Sequence, residues 1–348
     1  MSSQSDQPTR LREMPPPSHL DLISSLQGTI RDCLKDCISG DEPVAMVDFP
    51  NYRNVGDSAI WLGQMAYLSS QFNKTPSYMS ALHDFSHDAL DEAMPSGPIL
   101  ITGGGTFGDI WPAHQELRES ILERWPGRPV VQFPQSIHYR SMEHADRMAR
   151  AIARHKNFVL LVRDEPSKEF AEKHFDCQVR LCPDMAFHIG PIEPLSAPRV
   201  PVLAMLRTDQ EKAAQYDLTA YRDVPVEDWI TESRTGIRIA KALGVAKAAA
   251  SLDAERIKQA KFDAAAKARL RRGIRQISRG RAIVTDRLHV HICALLLGRP
   301  HAVLDNSYGK VRRFMDAFSG GTALSHRATS FDDAIDWARS QAAHEAGA

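Results

Sequence analysis

No apolar run in this 348-residue chain approaches the roughly 18 residues that a membrane-spanning helix needs. Its N-terminal stretch, MSSQSDQPTRLREMPPPSHLD, also lacks the apolar core of a secretory leader. These absences lead us to expect a cytoplasmic protein with a disordered tail over residues 1–18. Net charge is missing too. Lys and Arg number 43 against 43 Asp and Glu, so no overall basic field points to nucleic acid or acidic membranes. Cys33, Cys37, Cys177, Cys182 and Cys293 form an odd set without a CxxC pair, which argues against a disulfide framework or a zinc site. Cys33 and Cys37 share a helix face and read as packing. The acidic residues form no clear ligand set, so no metal is expected.

What the chain does have is alternation. Strand-like runs at Pro43–Asp48, Gly97–Thr102, Pro129–Phe133, Phe158–Val162 and Val179–Leu181 punctuate helical stretches. The helices are expected at Leu20–Ile38, Asp57–Leu68, Gln115–Trp125, Glu143–His155 and Pro166–His174, with a weaker unit around Tyr78–Asp91. That pitch predicts a doubly wound α/β fold with a parallel sheet. The Pro-rich Glu193–Arg199 reads as a linker, and Val200–Leu206 opens a second alternating region. We therefore expect one domain over residues 19–195 and another over 196–348. Within the second, Gln210–Asp228 reads as a loop or insertion, and Ile237–Ile277 as helix broken at Gly244 and Gly273. A last helix, Phe331–Gln341, completes or crosses back over the domains. Ala268–Arg281 carries six arginines, which reads as a solvated helix face or a surface for an anionic partner.

Polar residues gather where the strands should finish, the edge at which open parallel sheets bind ligands. Ala282–Gly309 reads as a β-α-β unit with Arg287 and His289 at its first strand end and Asp305, Asn306 and Lys310 at its second. Arg287 and His289 stand either as a loop cap and a packed helix residue or as an anion grip and a proton carrier. Arg163 and Arg207 repeat the cation-at-strand-end pattern. With Arg287 and Lys310 they suit a multiply charged anion, because the planar guanidinium binds carboxylate or phosphate through two bonds. Gly103-Gly104-Gly105-Thr106 follows a strand as a loop through which main-chain amides can approach a ligand. It matches neither the GxGxxG dinucleotide fingerprint nor a Lys-Ser/Thr phosphate loop. Asn54 and Gly56 suit a turn, while Asp57 either caps the next helix or accepts a proton.

In order, NxGD (Asn54–Asp57), GGGTFGD (Gly103–Asp109), VRD (Val162–Asp164), CPD (Cys182–Asp184), TDRLH (Thr285–His289) and LDNSYGKV (Leu304–Val311) resemble the polysaccharide pyruvyl transferase family. The likeness spans about Val44 to Phe314 and is most specific in its last third; Val290 stands where members often carry glycine. It implies two Rossmann-like domains facing across a cleft, GT-B-like, and transfer of the carboxyvinyl carbons of phosphoenolpyruvate to a sugar as a ketal. By position, Arg163, Arg287 and His289 match the family's donor-contacting residues, with His289 as general acid or base. The expected site is then His289 and Asp57 for proton transfer. Arg163, Arg287, Leu288, Lys310, Arg207, Asn54, Gly104, Gly105 and Asn306 are expected to hold substrate. Phosphoenolpyruvate serves as donor substrate with no separate cofactor and no nucleic acid. The acceptor is a sugar or lipid-linked oligosaccharide, and a lipid-linked one implies peripheral contact with the inner membrane face. A nucleotide-sugar glycosyltransferase and a non-catalytic relative are the alternatives. The first lacks any distinct signal for a base-and-ribose pocket, and the second has no need of the intact Arg-Leu-His.

Overall fold

The computed structural model describes residues 18–209, 216–251, 253–305 and 309–347. The first half consists of α1 (His19–Leu34), β1 (Ala45–Phe49), α2 (Val55–Phe72), β2 (Tyr78–Ala81), α3 (His87–Ala93), β3 (Ile99–Ile101), β4 (Gly104–Gly108), α4 (Pro112–Arg124), β5 (Val130–His138), α5 (Met142–His155), β6 (Phe158–Val162), α6 (Glu165–His174) and β7 (Gln178–Leu181). Its strands form a parallel sheet in the order β2-β1-β3-β5-β6-β7, with β4 beside the far end of β5. The second half holds β8 (Val200–Met205), β9 (Val226–Glu227), α7 (Arg234–Ala248), α8 (Ala254–Ile277), β10 (Gly280–Thr285), α9 (Leu288–Leu296), β11 (His301–Val303), α10 (Lys310–Phe314), β12 (Ser325–Arg327) and α11 (Phe331–Gly347). Its parallel order is β12-β11-β10-β8-β9. The strand order reverses between β1 and β3 in one sheet and between β8 and β10 in the other. Loops diverge there and leave room at the carboxyl ends.

The strands are apolar because both faces are covered. In β1, Met46 and Phe49 face one core while Ala45 and Val47 face another. In β10, Ile283 and its neighbours Ala282 and Val284 divide the same way. The largest core runs from one sheet to the other through α1, α2, α8 and α9. Helices α3 to α6 cover the outer face of the first sheet, and α11 covers that of the second.

Several expectations need correction. Ser18, expected in the tail, caps α1 by accepting the Asp21 N–H; residues 1–17 lie outside the described residues. The glycine-rich segment is not a loop but the strand β4, with register shifts opposite a bulge in β5. That bulge accommodates Pro134, which cannot donate to the ladder, and lets β5 run on to His138. The long helical region breaks at neither glycine. It breaks after Ala248, and α8 restarts where Asp253 accepts the Glu255 and Arg256 amides at 3.0 and 3.2 Å. Gly244 instead lets α8 come close, since a Cβ there would sit 2.5 Å from the Ala260 carbonyl oxygen. The described part of the expected insertion holds a short 3-10 turn, Thr219–Tyr221, and β9; residues 210–215 lie outside the described residues.

The arginine run is not mainly a solvated face. Arg269, 2% exposed, and Arg272 both pair with Glu232, and Arg279 pairs with Glu227. Arg269 Nη1 and Arg272 Nη2 also donate to the carbonyls of Pro50 and Arg53, at 3.2 and 2.8 Å. They thereby pin the loop between β1 and α2, which carries the first of the polar motifs.

Candidate functional site

Asp184 is the residue around which the site is built. It follows β7 and caps the short helical turn Met185–Ile189, with Oδ1 accepting the Ala186 N–H at 2.9 Å. Its Oδ2 accepts from Arg163 Nη1 at 2.5 Å and lies 3.3 Å from His289 Nε2. Burial alone would raise this carboxyl. The charges of His289 and Arg163 and the Ala186 amide outweigh burial and hold it ionised well below the usual carboxylate range. An acceptor-only carboxylate here means that His289 Nε2 carries a proton toward Asp184, with Nδ1 on the side of Gly56.

Arg163 directly follows β6 and is 3% exposed. Its Nε donates to Ser136 Oγ at 3.1 Å, and its Nη2 faces Gly105. A Cβ at Gly105 would lie 3.5 Å from Arg163 Nη2 and 3.6 Å from Lys310 Nζ, the first residue of α10. The glycine thus keeps open, between two cations, a space the size of an anionic oxygen. His138, at the end of β5, has its pKa lowered by burial and by the nearby charge of Lys310.

His289 lies at the start of α9, and its side chain is 11% exposed. Its ring packs on the first turn of α2, where a Cβ on Gly56 would fall 2.3 Å from the ring. Asn54 caps that turn, its Oδ1 accepting the Gly56 N–H at 3.0 Å and its Nδ2 donating to Asp57 Oδ2 at 2.7 Å. The other Asp57 oxygen faces Gly104, 3.5 Å from where a Cβ would be. Asn54, Gly56, Asp57, Gly104, Gly105, Arg163, Lys310 and His289 therefore come together, with Asp184 joining Arg163 to His289.

Arg207 and Arg287 belong to a second group. Arg287 Nη2 donates to Asp209 at 3.0 Å and to Asp228 at 2.7 Å. Arg207 bonds the same Asp209 through Nε and Nη2, at 2.8 and 3.0 Å. Two aspartates from loops after β8 and beside β9 thus neutralise arginines that the sequence pattern leaves uncompensated. Arg287 Nε is buried without a partner among the described residues. Leu288, expected to touch substrate, is 7% exposed and packs in the apolar core, as does Val290. Asn306 lies outside the described residues.

The other histidine of α9 has no access to this site. His291 Nδ1 meets His301 Nε2 at 2.7 Å, and His291 Nε2 meets Ser319 Oγ at 2.8 Å. His301 Nδ1 lies 2.8 Å from the Arg299 carbonyl, which can only accept. Proton positions follow along the row: His301 Nδ1–H donates to the carbonyl, His291 Nδ1–H to His301, and the Ser319 hydroxyl to His291. A proton added at His301 Nε2 would set two donors face to face. Burial pushes His301 down to about 4 and His291 well below the ordinary imidazole value.

Asp184 stands in its motif without a role and Gly56 only as a turn residue, and neither motif reveals the partner. Asp48 and His114 were missed altogether. His114 Nδ1 lies 2.8 and 2.9 Å from the two Asp48 oxygens, across 66 residues of sequence. A cavity of about 370 Å³ lies elsewhere, lined by Pro98, Val130, Asn157 and Val159 toward the amino ends of the strands. That edge of a parallel sheet does not carry ligand chemistry. Among the described residues no cluster of His, Cys, Asp and Glu could hold a metal.

With this geometry in view, comparison with known proteins is informative. A family described as polysaccharide pyruvyl transferase matches residues 54–308. The chain is 31% identical over 312 residues to pyruvyl transferase 1 of Schizosaccharomyces pombe, covering 83% of this chain and 73% of that one. It is 30% identical over 295 residues to the putative pyruvyl transferase EpsO of Bacillus subtilis, covering 83% and 89%. A solved structure of an uncharacterized Klebsiella pneumoniae protein superposes with a TM-score of 0.54 at 18% identity, over 87% of this chain and 99% of that one. That last likeness speaks for the fold.

Proposed function

The chain belongs to the polysaccharide pyruvyl transferase family, and from that premise we propose that it moves the carboxyvinyl carbons of phosphoenolpyruvate onto a sugar. The sugar is part of an exopolysaccharide or cell-surface glycan intermediate, and the product is a pyruvate ketal. The observation that carries this reading is the meeting of Arg163 and Lys310 at Gly105, next to an imidazole held by an ionised carboxylate. Phosphoenolpyruvate has a carboxylate and a phosphate and needs more than one cationic anchor. The space at Gly105 supplies one. Arg287 supplies another through its buried Nε–H, which has no partner among the described residues, with Arg207 steadying Asp209, one of the two aspartates that hold it. Two Rossmann-like halves then face across a cleft in the GT-B manner. The bonds of His289 to Asp184 and its packing on Gly56 support this, since they join the second half to the first.

In the reaction, His289 gives a proton to the methylene carbon, and the central carbon becomes an electrophile. The first sugar hydroxyl adds to it. The second expels phosphate and closes the ketal, and Asp57 orients a hydroxyl from the α2 side. Of the two hydroxyl protons, one leaves with phosphate and one restores His289. Imidazole acid–base catalysis of this kind contributes about 100- to 10,000-fold. No separate cofactor enters this scheme.

We place the reaction on the cytoplasmic side; no helix among the described residues is long and apolar enough to cross a membrane. For a lipid-linked acceptor, the peripheral contact is α7 rather than the arginine run. It has no acidic residue, carries Arg234, Arg238 and Lys247, and exposes Ile239 at 55% and Leu243 at 59%.

The test is to supply phosphoenolpyruvate with a panel of glycan intermediates and look by mass spectrometry for the added ketal. Phosphoenolpyruvate alone at 100 times its dissociation constant should stabilise the protein by about 2.7 kcal/mol. Stabilisation by nucleotide-sugars instead would turn the assignment toward glycosyl transfer.

A further inference from the structure

We propose that His114, oriented by Asp48 and flanked by Tyr52 and Trp111, is the base that removes the proton of the attacking acceptor hydroxyl. This rests on the pyruvyl-transfer reading above. Asp48 lies at the carboxyl end of β1, beside the point where the strand order reverses. It adopts φ +69°, a left-handed conformation that a non-glycine residue seldom takes, and the β1–β2 register shifts across it. Bulges of this kind re-aim a side chain, here toward the sheet's ligand edge. The carboxylate is 4% exposed and takes both its oxygens to His114 Nδ1.

An ionised carboxylate only accepts, so Nδ1 donates and Nε2 carries the lone pair. His114 keeps 14% of its side chain exposed, and Nε2 has no partner among the described residues. A carboxylate on Nδ1 with a free Nε2 is the arrangement that makes imidazole a general base toward a hydroxyl.

The surroundings suit a sugar. Trp111, three residues before His114 at the cap of α4, is 51% exposed, and Tyr52 is 38% exposed with its ring edge-on to His114 at 6.4 Å. Two partly exposed aromatic side chains give the C–H side of a pyranose a surface to stack on. The wall is continuous with the anion space. The Tyr52 hydroxyl neighbours both Asp48 and Asp57, and Asp57 faces Gly104 next to Gly105.

The two histidines therefore divide the work. His289 protonates the methylene carbon while His114 accepts the first hydroxyl proton as the C–O bond forms. When the second hydroxyl attacks and the C–O bond to phosphate breaks, His114 releases its proton to the departing phosphate. His289 recovers one from that second hydroxyl. Each ring ends as it began.

The probes are phosphoenolpyruvate and a panel of p-nitrophenyl glycosides. In the wild type, at least one glycoside should quench tryptophan fluorescence, and the quench should vanish in Trp111→Phe. His114→Ala should lower kcat by 100-fold or more while phosphoenolpyruvate still stabilises the variant, and free imidazole should restore part of the rate. Asp48→Asn should lower kcat less, and Trp111→Ala should raise the acceptor KM. No quench by any glycoside, kcat of His114→Ala within threefold of wild type, or no imidazole rescue overturns the proposal. Failure of phosphoenolpyruvate to stabilise or react with the wild type overturns the pyruvyl-transfer reading instead, while the quench arm still judges the acceptor subsite.

Discussion

His289 and His291 stand two residues apart on α9 and live in opposite surroundings. His289 is partly exposed, shares a buried carboxylate with Arg163 and rests on the backbone of α2. His291 is fully buried and bonded on both nitrogens, and burial holds its pKa well below the ordinary imidazole value. The same side chain thus shares a buried carboxylate on one face of the helix and is a sealed dipole bonded at both nitrogens on the other. What separates them is the partner each meets. Arg163 and Arg287 differ in a similar way: the first shares one aspartate with an imidazole, the second faces two aspartates.

The comparison breaks most directly at His289. His289→Ala should cut kcat by about 100- to 10,000-fold with phosphoenolpyruvate affinity within a few fold. His291→Ala should instead cost about 2–4 kcal/mol of stability, through a cavity and two orphaned partners. Turnover assays beside thermal melts read both, and equal kcat losses in the folded fractions would erase the contrast.

Acid should act on the buried face first. His301 has a folded pKa of about 4, below the unfolded value near 6.5, so its contribution is complete above about pH 6.5. Stability should fall as pH drops from there to about 4, by roughly 3 kcal/mol, and level off below. Asp184 has its own window. Its pKa is depressed, so its contribution is present above the unfolded carboxylate value and is lost only at lower pH, through the folded value. Denaturant titrations at stepped pH check the order of the two losses.

Gly56→Ala sharpens the open face. The new Cβ has no room beside the His289 ring, so the ring must move, and a shift near 1 Å lowers kcat by about 100-fold. Unchanged turnover would mean that the ring position does not matter. The smallest effect separates the arginines. Arg163→Lys should weaken phosphoenolpyruvate about tenfold more than Arg287→Lys, because Arg163 points at the anion space while aspartates already balance Arg287. Calorimetric titration of the donor measures the difference.

Much of the architecture was legible because period and composition report local environment. The runs at β1, β6 and β10 are apolar throughout, as strands covered on both faces must be. The clustering of polar residues at strand ends marked Arg163, His289 and Lys310. The glycine-rich stretch and the breaks in the long helical region misled, because Gly244 marks a close helix contact and β4 forms only by pairing with the distant end of β5. Partnerships were not legible. Asp184 meets His289 across 105 residues and Asp48 meets His114 across 66.

From its order of residues alone, this chain was committed to alternating strands and helices with cations at the strand ends. Hydrophobic periodicity acts within a few residues and shows in any short window. Which carboxylate each arginine meets, and which imidazole is sealed, was decided only when distant segments closed around them. Charge and protonation depend on what lies within a few ångströms in space, and in this protein those neighbours come from far along the chain.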